Sequence, residues 1–493
     1  MRPVLGRFSF FGLFDNCLPW PKNPTRCRVT NVGIRNFDPM SGAPSQPSFP
    51  AFVIWASCVI RSRKAGSFVI CTSLLLAAVP ASALDVGVAA CDITPDVTAH
   101  KVPLAGYGAR RGKPSTGVHD RLHAKVLLFR DGGTSMALVT CDLRSVTPQL
   151  KQQALQKAAV PKLSMDTLLL CASHTHDGPS IFPEKFWQVQ FGECDPAVID
   201  SMSSAIAGGL QAAVRNLAPA RVGFGSERLE GFTRNRRWHY NNEARKAAGE
   251  TPALNPMLSV LRVDGEDRKC RALLVHFATH PTILGASNML VSAEWPGVLQ
   301  QTLEAAFPGA VALYCNGAEG DQSPDGAKGA DEFERVKDFG VRLAERARAV
   351  GEAIKTNPKL AIGSVRITPD LPPIGFSPGA QKGPYKSYEP LAREALPKKA
   401  EIQLLRIGDL ALAGLPGEPI CEVGMETQKQ VAAAGFKNVL TIGLANDYIG
   451  YIVNEKEYPH GGYEVDERSY YGPGLGSLLA TKAGEAAKKL RAN

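Results

Sequence analysis

Beyond residue 83 this sequence has almost no surplus charge of either sign. Residues 1–83 hold nine Lys/Arg and two Asp/Glu, so of the 56 basic and 47 acidic residues in the 493-residue chain, 47 and 45 remain. That balance excludes a surface built for nucleic acid. A cysteine framework is also missing. Seven of the 11 cysteines follow residue 83 (Cys91, Cys141, Cys171, Cys194, Cys270, Cys315 and Cys421), an odd, widely spaced set with no Cys-x-x-Cys. Several sit in apolar runs, such as Leu168-Leu169-Leu170-Cys171 and Leu313-Tyr314-Cys315. These read as buried thiols, with room left for one or two disulfides. There is no internal repeat and, after residue 84, no long low-complexity stretch.

The front of the chain carries the charge surplus for a specific reason. Arg61, Arg63 and Lys64 precede an apolar run from Ser67 to Val79, then Pro80-Ala81-Ser82-Ala83. A positive region, a short apolar core and an Ala-x-Ala site describe a signal peptide over 61–83, cleaved after Ala83, for a secreted or periplasmic protein. An uncleaved N-terminal anchor is the alternative, although the run is short for spanning a bilayer. Residues 1–60 are rich in Pro, Phe and Arg without helical or strand period. They read as disordered, or as an extension upstream of a true start near Val59 or Ile60. The catalytic domain is expected over 84–493.

With 44% apolar and 21% charged residues, that stretch suits an ordinary globular domain. Strand-like runs fall at Lys125–Phe129, Met136–Cys141, Thr167–Cys171, Leu258–Val263, Ala272–Phe277, Ala310–Cys315 and Val439–Leu444. Helix-like stretches fall at Pro148–Ala159, Val198–Leu217, Val298–Phe307, Phe333–Ile354, Glu422–Ala434 and Leu478–Leu490. The alternation predicts an α/β fold: one large catalytic domain with a mixed β-sheet flanked by helices. Several strand-like runs end in polar clusters, which places the active site on loops at strand ends. Pro369–Tyr388, rich in Pro and Gly, is the best linker or active-site loop.

Five segments carry chemistry. Ser173-His174-Thr175-His176-Asp177-Gly178-Pro179 puts two imidazoles two residues apart, on one side of an extended chain. They read as metal ligands, since imidazole suits zinc, or as structural histidines. His280 follows a strand-like run and is backed by Pro281, which stiffens the chain after it; ligand and structural roles are both open. Asn316-Gly317-Ala318-Glu319-Gly320-Asp321-Gln322-Ser323-Pro324 is either a tight surface turn or a loop presenting Ser323. Leu415-Pro416-Gly417-Glu418-Pro419 offers a carboxylate. The tail from Tyr448-Ile449-Gly450-Tyr451 to Tyr471 is rich in tyrosines, which are usually packing residues with one wet end. Phe186 and Trp187 suit a pocket mouth or simple packing.

In their order, these segments resemble the neutral/alkaline non-lysosomal ceramidases. That family carries His-Thr-His-Ser-Gly-Pro, Asn-Arg, His-Pro-Thr, Asn-x-Gly-Asp-x-Ser-Pro, Leu-Pro-Gly-Glu and Tyr-x-Gly-Tyr. Asp92-Ile93-Thr94-Pro95, Gly106-Tyr107 and Gly117-Val118-His119-Asp120-Arg121-Leu122 extend the likeness, so it covers nearly all of 85–475. The resemblance implies Zn²⁺ held by His174, His280, Glu418 and Tyr451. It implies His176 as the acid–base histidine, Arg236 and Tyr463 as stabilisers of the substrate carbonyl oxygen, and Ser323 as nucleophile or substrate anchor. The departures are Asp177 in place of Ser, which adds a carboxylate, an apparent insertion at Gly317-Ala318-Glu319-Gly320, Ile283 after His-Pro-Thr, and Arg237-Trp238 after Asn235-Arg236. The family's C-terminal immunoglobulin-like domain is not expected after Tyr471-Gly472.

The resulting expectation is a secreted zinc-dependent amidase acting on ceramide or a related N-acyl lipid, with transient contact to a membrane surface and no nucleic acid. A zinc hydrolase of another N-acyl or ester substrate, or a non-catalytic binding relic, are the alternatives. A metallophosphatase is disfavoured because no Asp-rich two-metal set stands out. N-terminal sequencing of the exported protein should read from Leu84.

Overall fold

The structure, a computed structural model, describes residues 84–240 and 242–492. Ahead of them it describes only the backbone of Val32–Gly33, Trp55–Arg61 and Phe68–Leu74, three antiparallel strands within a separate unit, Met1–Ala81. The remainder of the expected upstream extension and signal peptide lies outside the described residues.

The large unit contains strands β1 (Asp85–Asp92), β2 (His123–Asp131) and β3 (Thr134–Cys141), helix α1 (Pro148–Ala158), β4 (Leu168–Ala172), α2 (Pro196–Arg215), β5 (Ala218–Arg228), β6 (Met257–Gly265), β7 (Cys270–Phe277), α3 (Glu294–Ala306), β8 (Val311–Asn316) and α4 (Glu332–Ala353). It continues with β9 (Ile362–Ile367), β10 (Ile402–Ile407), β11 (Leu410–Gly414), α5 (Cys421–Ala432), β12 (Asn438–Ile442) and α6 (Leu475–Ala492). All seven strand-like runs and all six helical stretches have their counterparts here. The mixed sheet is doubled. One sheet has eight strands in the order β8-β7-β6-β5-β1-β2-β3-β4, and a second has four in the order β9-β10-β11-β12.

Strand alternation explains the layers. In β2, Leu127 and Phe129 face the second sheet and pack with Leu405, Leu412 and Ile442, while Val126 and Leu128 face α1 and α2. In β7, Leu274 joins the intersheet core, whereas Leu273, Val275 and Phe277 pack on α3 and α4. Strands apolar on both faces are buried on both faces. Helices α5 and α6 close the outer side of the second sheet. The helix starts are legible in the chain: Thr147, Asp195 and Asp331 each accept a backbone N–H at an N-cap, two of them just before a proline.

Only three strand pairs are parallel among the strands of the two large sheets: β3–β4, β7–β8 and β11–β12. Along the eight-stranded ladder the first two pairs run in opposite senses. Seven strand-to-strand steps of twist, roughly 20–25° each, amount to nearly half a turn and bring their C-terminal ends together. The edges meet where Asn316 Nδ2, at the end of β8, donates to Ser173 O just past β4 at 3.2 Å. Every described cysteine is a free thiol; Cys141, Cys171, Cys315 and Cys421 are buried. Phe186 and Trp187 are buried and pack on Tyr448 and Tyr470 rather than framing a pocket mouth. The Pro369–Tyr388 segment lies on the tyrosine tail, with Gly375 N donating to Tyr470 O at 2.9 Å.

One polar contact also ties the two sheets. Buried His276 of β7 donates through Nε2 to Thr441 O of β12 at 2.8 Å, leaving Nδ1 without a partner. Burial pulls its pKa from 6.5 down to about 4, against the raising effect of the Thr441 bond. Between those pH values the unfolded chain holds the extra proton, so this group's contribution to stability is present above about 6.5 and lost as pH falls toward about 4. Buried Glu294 and Asp447, pushed up to about 8 and about 7 by burial, titrate in the opposite sense. A difference between variants isolates the imidazole. The stability advantage of the native chain over His276→Gln should be greatest above pH 6.5 and shrink toward pH 4, by an amount on the order of 2–3 kcal/mol in denaturant titrations.

Candidate active site

The chain leaving β4 turns sharply at His174, a non-glycine residue held at φ 76°. Its backbone N–H donates to Leu143 O at 2.9 Å, and its ring Nδ1 lies 2.7 Å from Arg144 O. Only a protonated Nδ1 can make that bond, so Nε2 carries the lone pair. His280, past β7, is fixed the same way, with its N–H and Nδ1 both on Gln322 O at 3.0 and 2.9 Å. The two Nε2 atoms stand 3.2 and 3.3 Å from one oxygen, Oε2 of Glu418. The short parallel pairing of Glu418–Pro419 with Tyr451–Ile452 sets Glu418 beside Tyr451. The Tyr451 hydroxyl is 3.2 Å from His280 Nε2.

These groups fit a metal ion. Glu418 Oε2 is buried without a hydrogen-bond partner and faces two imidazole lone pairs. Two imidazole nitrogens, a carboxylate and a phenol oxygen at that spacing suit zinc. The other carboxylate oxygen, Oε1, accepts from Tyr448 Oη at 2.7 Å and Arg144 Nη2 at 3.1 Å. Such outer bonds orient a ligand. Burial alone would push Glu418 up; positive charge on His174, hydrogen bonds from a protonated His174 or His280, and Arg144 outweigh that and hold it well below the usual carboxylate range, a role that a bound cation would take over. Burial, and next Glu418, push the Tyr451 phenol far above its ordinary range, a balance that a cation between them would reverse.

His176 completes the cluster, with its Nε2 3.3 Å from that of His174 and its ring edge-on to Tyr107. Gly106 makes this approach possible, since a Cβ there would lie 2.2 Å from that of His176. Burial, then His174 and His280, hold His176 well below 6.5, so the ring is neutral, and its Nδ1 has no partner. Arg236 donates through Nη2 to Tyr451 Oη and Gly320 O, both at 2.9 Å, and through Nε to Glu464 at 2.7 Å. Tyr463 stands edge-on to Tyr451. The structure therefore gathers His174, His176, His280, Glu418, Tyr451, Arg236 and Tyr463 around one centre. Ser323 stands apart, one residue from the carbonyl that holds His280, in a cleft of about 390 Å³ that none of those seven lines. Asp177, the added carboxylate, accepts from Arg110 and Asn288 and belongs to neither cluster of donor atoms.

Three supporting residues escape the sequence reading. Arg144 is buried between the Phe191 and Tyr448 rings, 4.1 and 4.3 Å from their centres. Tyr448 shares Glu418 with it. Glu464 joins Arg236 to Arg237, whose guanidinium, with that of Arg245, also binds Glu457. Arg144 and Glu464 lie in no local motif and only pairing across the fold reveals them; Tyr448 opens the Tyr-x-Gly-Tyr segment, but its bond to Glu418 is visible only in the fold.

The family model described as "Neutral/alkaline non-lysosomal ceramidase, N-terminal" matches residues 84–348. A neutral ceramidase of Mycobacterium tuberculosis is 25% identical, with 83% of this chain and 77% of that protein covered. One of Pseudomonas aeruginosa is also 25% identical, over 84% of this chain and 73% of that protein. The crystal structure of neutral ceramidase from Pseudomonas aeruginosa superposes with a TM-score of 0.74 at 22% identity, covering 83% of this chain and 75% of that one. That likeness establishes the fold.

Glu464 is almost wholly buried between two guanidinium groups. Glu464→Gln should lower the free energy of unfolding by about 3 kcal/mol or more, because it leaves buried cations short of a partner. Glu352→Gln, which breaks the exposed pair with Arg348, should cost no more than about 0.5 kcal/mol in the same denaturant titration.

Proposed function

This chain belongs to the neutral/alkaline non-lysosomal ceramidase family, and from that premise we propose that it is a zinc-dependent hydrolase cleaving the amide bond of ceramide or a related N-acyl lipid. One observation carries the metal half of this reading: Glu418 Oε2, buried and unpartnered, at 3.2 and 3.3 Å from two imidazole lone pairs. Relatives named neutral ceramidases, each sharing 25% of aligned residues, support the substrate half.

His174, His280, Glu418 and Tyr451 would hold the ion. When bound, zinc supplies Lewis acidity, polarising a carbonyl and making water acidic at neutral pH. The remaining work falls to the chain. Neutral His176 takes a proton from the attacking water and returns it to the departing amine; its low affinity for a proton favours the return. Arg236 uses Nε and Nη2 on Glu464, Gly320 and Tyr451. Its Nη1 takes none of those bonds and is the donor for the carbonyl oxygen as charge develops there, beside Tyr463. Glu464 keeps that guanidinium in place. Ser323, in its own cleft, acts as a substrate anchor in this scheme. The lipid half of the substrate brings the enzyme into transient contact with a membrane surface. Export follows from Arg61–Lys64, the apolar run and Ala81-Ser82-Ala83.

Purified protein should carry zinc and release fatty acid from ceramide. Treatment with a chelator should abolish both, and added Zn²⁺ should restore activity. His174→Ala should contain no zinc and lose activity by at least about a thousandfold. A panel of N-acyl and ester substrates fixes the substrate class. Stoichiometric zinc in His174→Ala would refute the ligand assignment.

A further inference from the structure

The loop after β8 carries a residue that the scheme above does not use. Glu319 is fully buried, and neither of its carboxylate oxygens has a hydrogen-bond partner. It does not sit in an apolar pocket: a carboxylate oxygen of Glu319, a ring nitrogen of His174 and a carboxylate oxygen of Glu418 all lie within 4.8 Å of one another. Two carboxyl groups drawn together in a dry interior cannot both be ionised unless a positive charge is shared between them.

The surroundings are shaped for the carboxylate without satisfying it. Gly443 faces Glu319 so closely that a Cβ there would lie 2.5 Å from Oε2. The Gly443 N–H points elsewhere, to Asn316 O and Gly317 O. The Gln322 N–H goes to the backbone carbonyl of Glu319, not to its side chain. The guanidinium of Arg236 takes Gly320 O, Tyr451 and Glu464 instead, and that of Arg144 takes Glu418 and Tyr448. A buried carboxyl group thus has room made for it and no partner supplied, on the side of the centre where His174 and Glu418 stand.

We propose that Glu319 is a further ligand of the metal centre, binding the same ion as His174 and Glu418. This rests on the metal-dependent reading of the site. Ligands about 2.1 Å from an ion stand roughly 3 to 4.2 Å apart, so a spacing within 4.8 Å closes with side-chain shifts of up to about an ångström. With Glu319 the set becomes two imidazole nitrogens and three oxygens. An added carboxylate favours harder cations, so the centre accepts Mn²⁺ more readily than an N₂O₂ set would.

The test titrates the metal-free full chain with Zn²⁺ and with Mn²⁺ against a competing chelator, and measures metal content and thermal unfolding. It compares the native chain, Glu319→Gln, Glu319→Leu and His174→Ala. One ion per native chain is expected. Both Glu319 variants should bind Zn²⁺ at least tenfold more weakly and Mn²⁺ more weakly still. The melting order should also cross. Without metal, replacing the unpartnered buried carboxyl with an amide leaves Glu319→Gln at least as stable as the native chain; with metal it becomes less stable. Equal affinities in the native chain and both variants would overturn this inference and leave the functional reading intact. Two ions per native chain would overturn the shared-ion form. A native chain that binds no metal would defeat the functional reading itself. The two variants guard against a folding defect in either one.

Discussion

Two imidazole Nε2 atoms held within 3.3 Å of one buried carboxylate oxygen form a site that calls for positive charge, from protons or from a cation. Everything near them serves to keep them there. Backbone carbonyls at Arg144 and Gln322 fix both rings in the tautomer that aims its lone pair inward. Arg144 and Tyr448 occupy the other oxygen of Glu418, so that carboxylate cannot rotate away. The centre is thereby preorganised for a cation.

The fold can do this because these side chains arise from strand ends rather than from one flexible loop. His174, His280 and Glu418 follow β4, β7 and β11, each a member of a parallel pair. Twist in the larger sheet turns opposed strands toward a common point, and the second sheet delivers the carboxylate from across the core. A buried ionic lattice of Arg236, Arg237, Arg245, Glu457 and Glu464 then fastens the tyrosine tail over the centre. Such a lattice adds little net stability, yet it punishes any other placement of the tail.

Much of this was legible in the sequence, and the reasons differ from element to element. Strands such as Thr167–Cys171 announce themselves through unbroken apolar runs, and helices such as Pro148–Ala158 through a Thr-Pro start. The doubling of the sheet was not legible, because a strand buried on both faces reads the same whether a helix or another sheet covers it. His174, His280, Glu418 and Tyr451 could be named from the order of weak motifs. Arg144 and Glu464 could not, since each acts through partners roughly 230 to 300 residues away, and Tyr448 read only as a packing tyrosine until its hydroxyl was seen on Glu418. Glu319 sat inside a motif whose turn-like composition pointed to a surface loop. Burial changed its meaning.

The backbone at His174 has one more consequence. A left-handed φ of 76° suits glycine or asparagine and strains a histidine by about 1–3 kcal/mol. Screens that reward only thermal robustness or soluble yield would therefore favour replacing this residue, and the variants they enrich would be sturdier and inert. The position marks a conflict between durability and chemistry, which any effort to harden the protein must resolve by holding residue 174 constant.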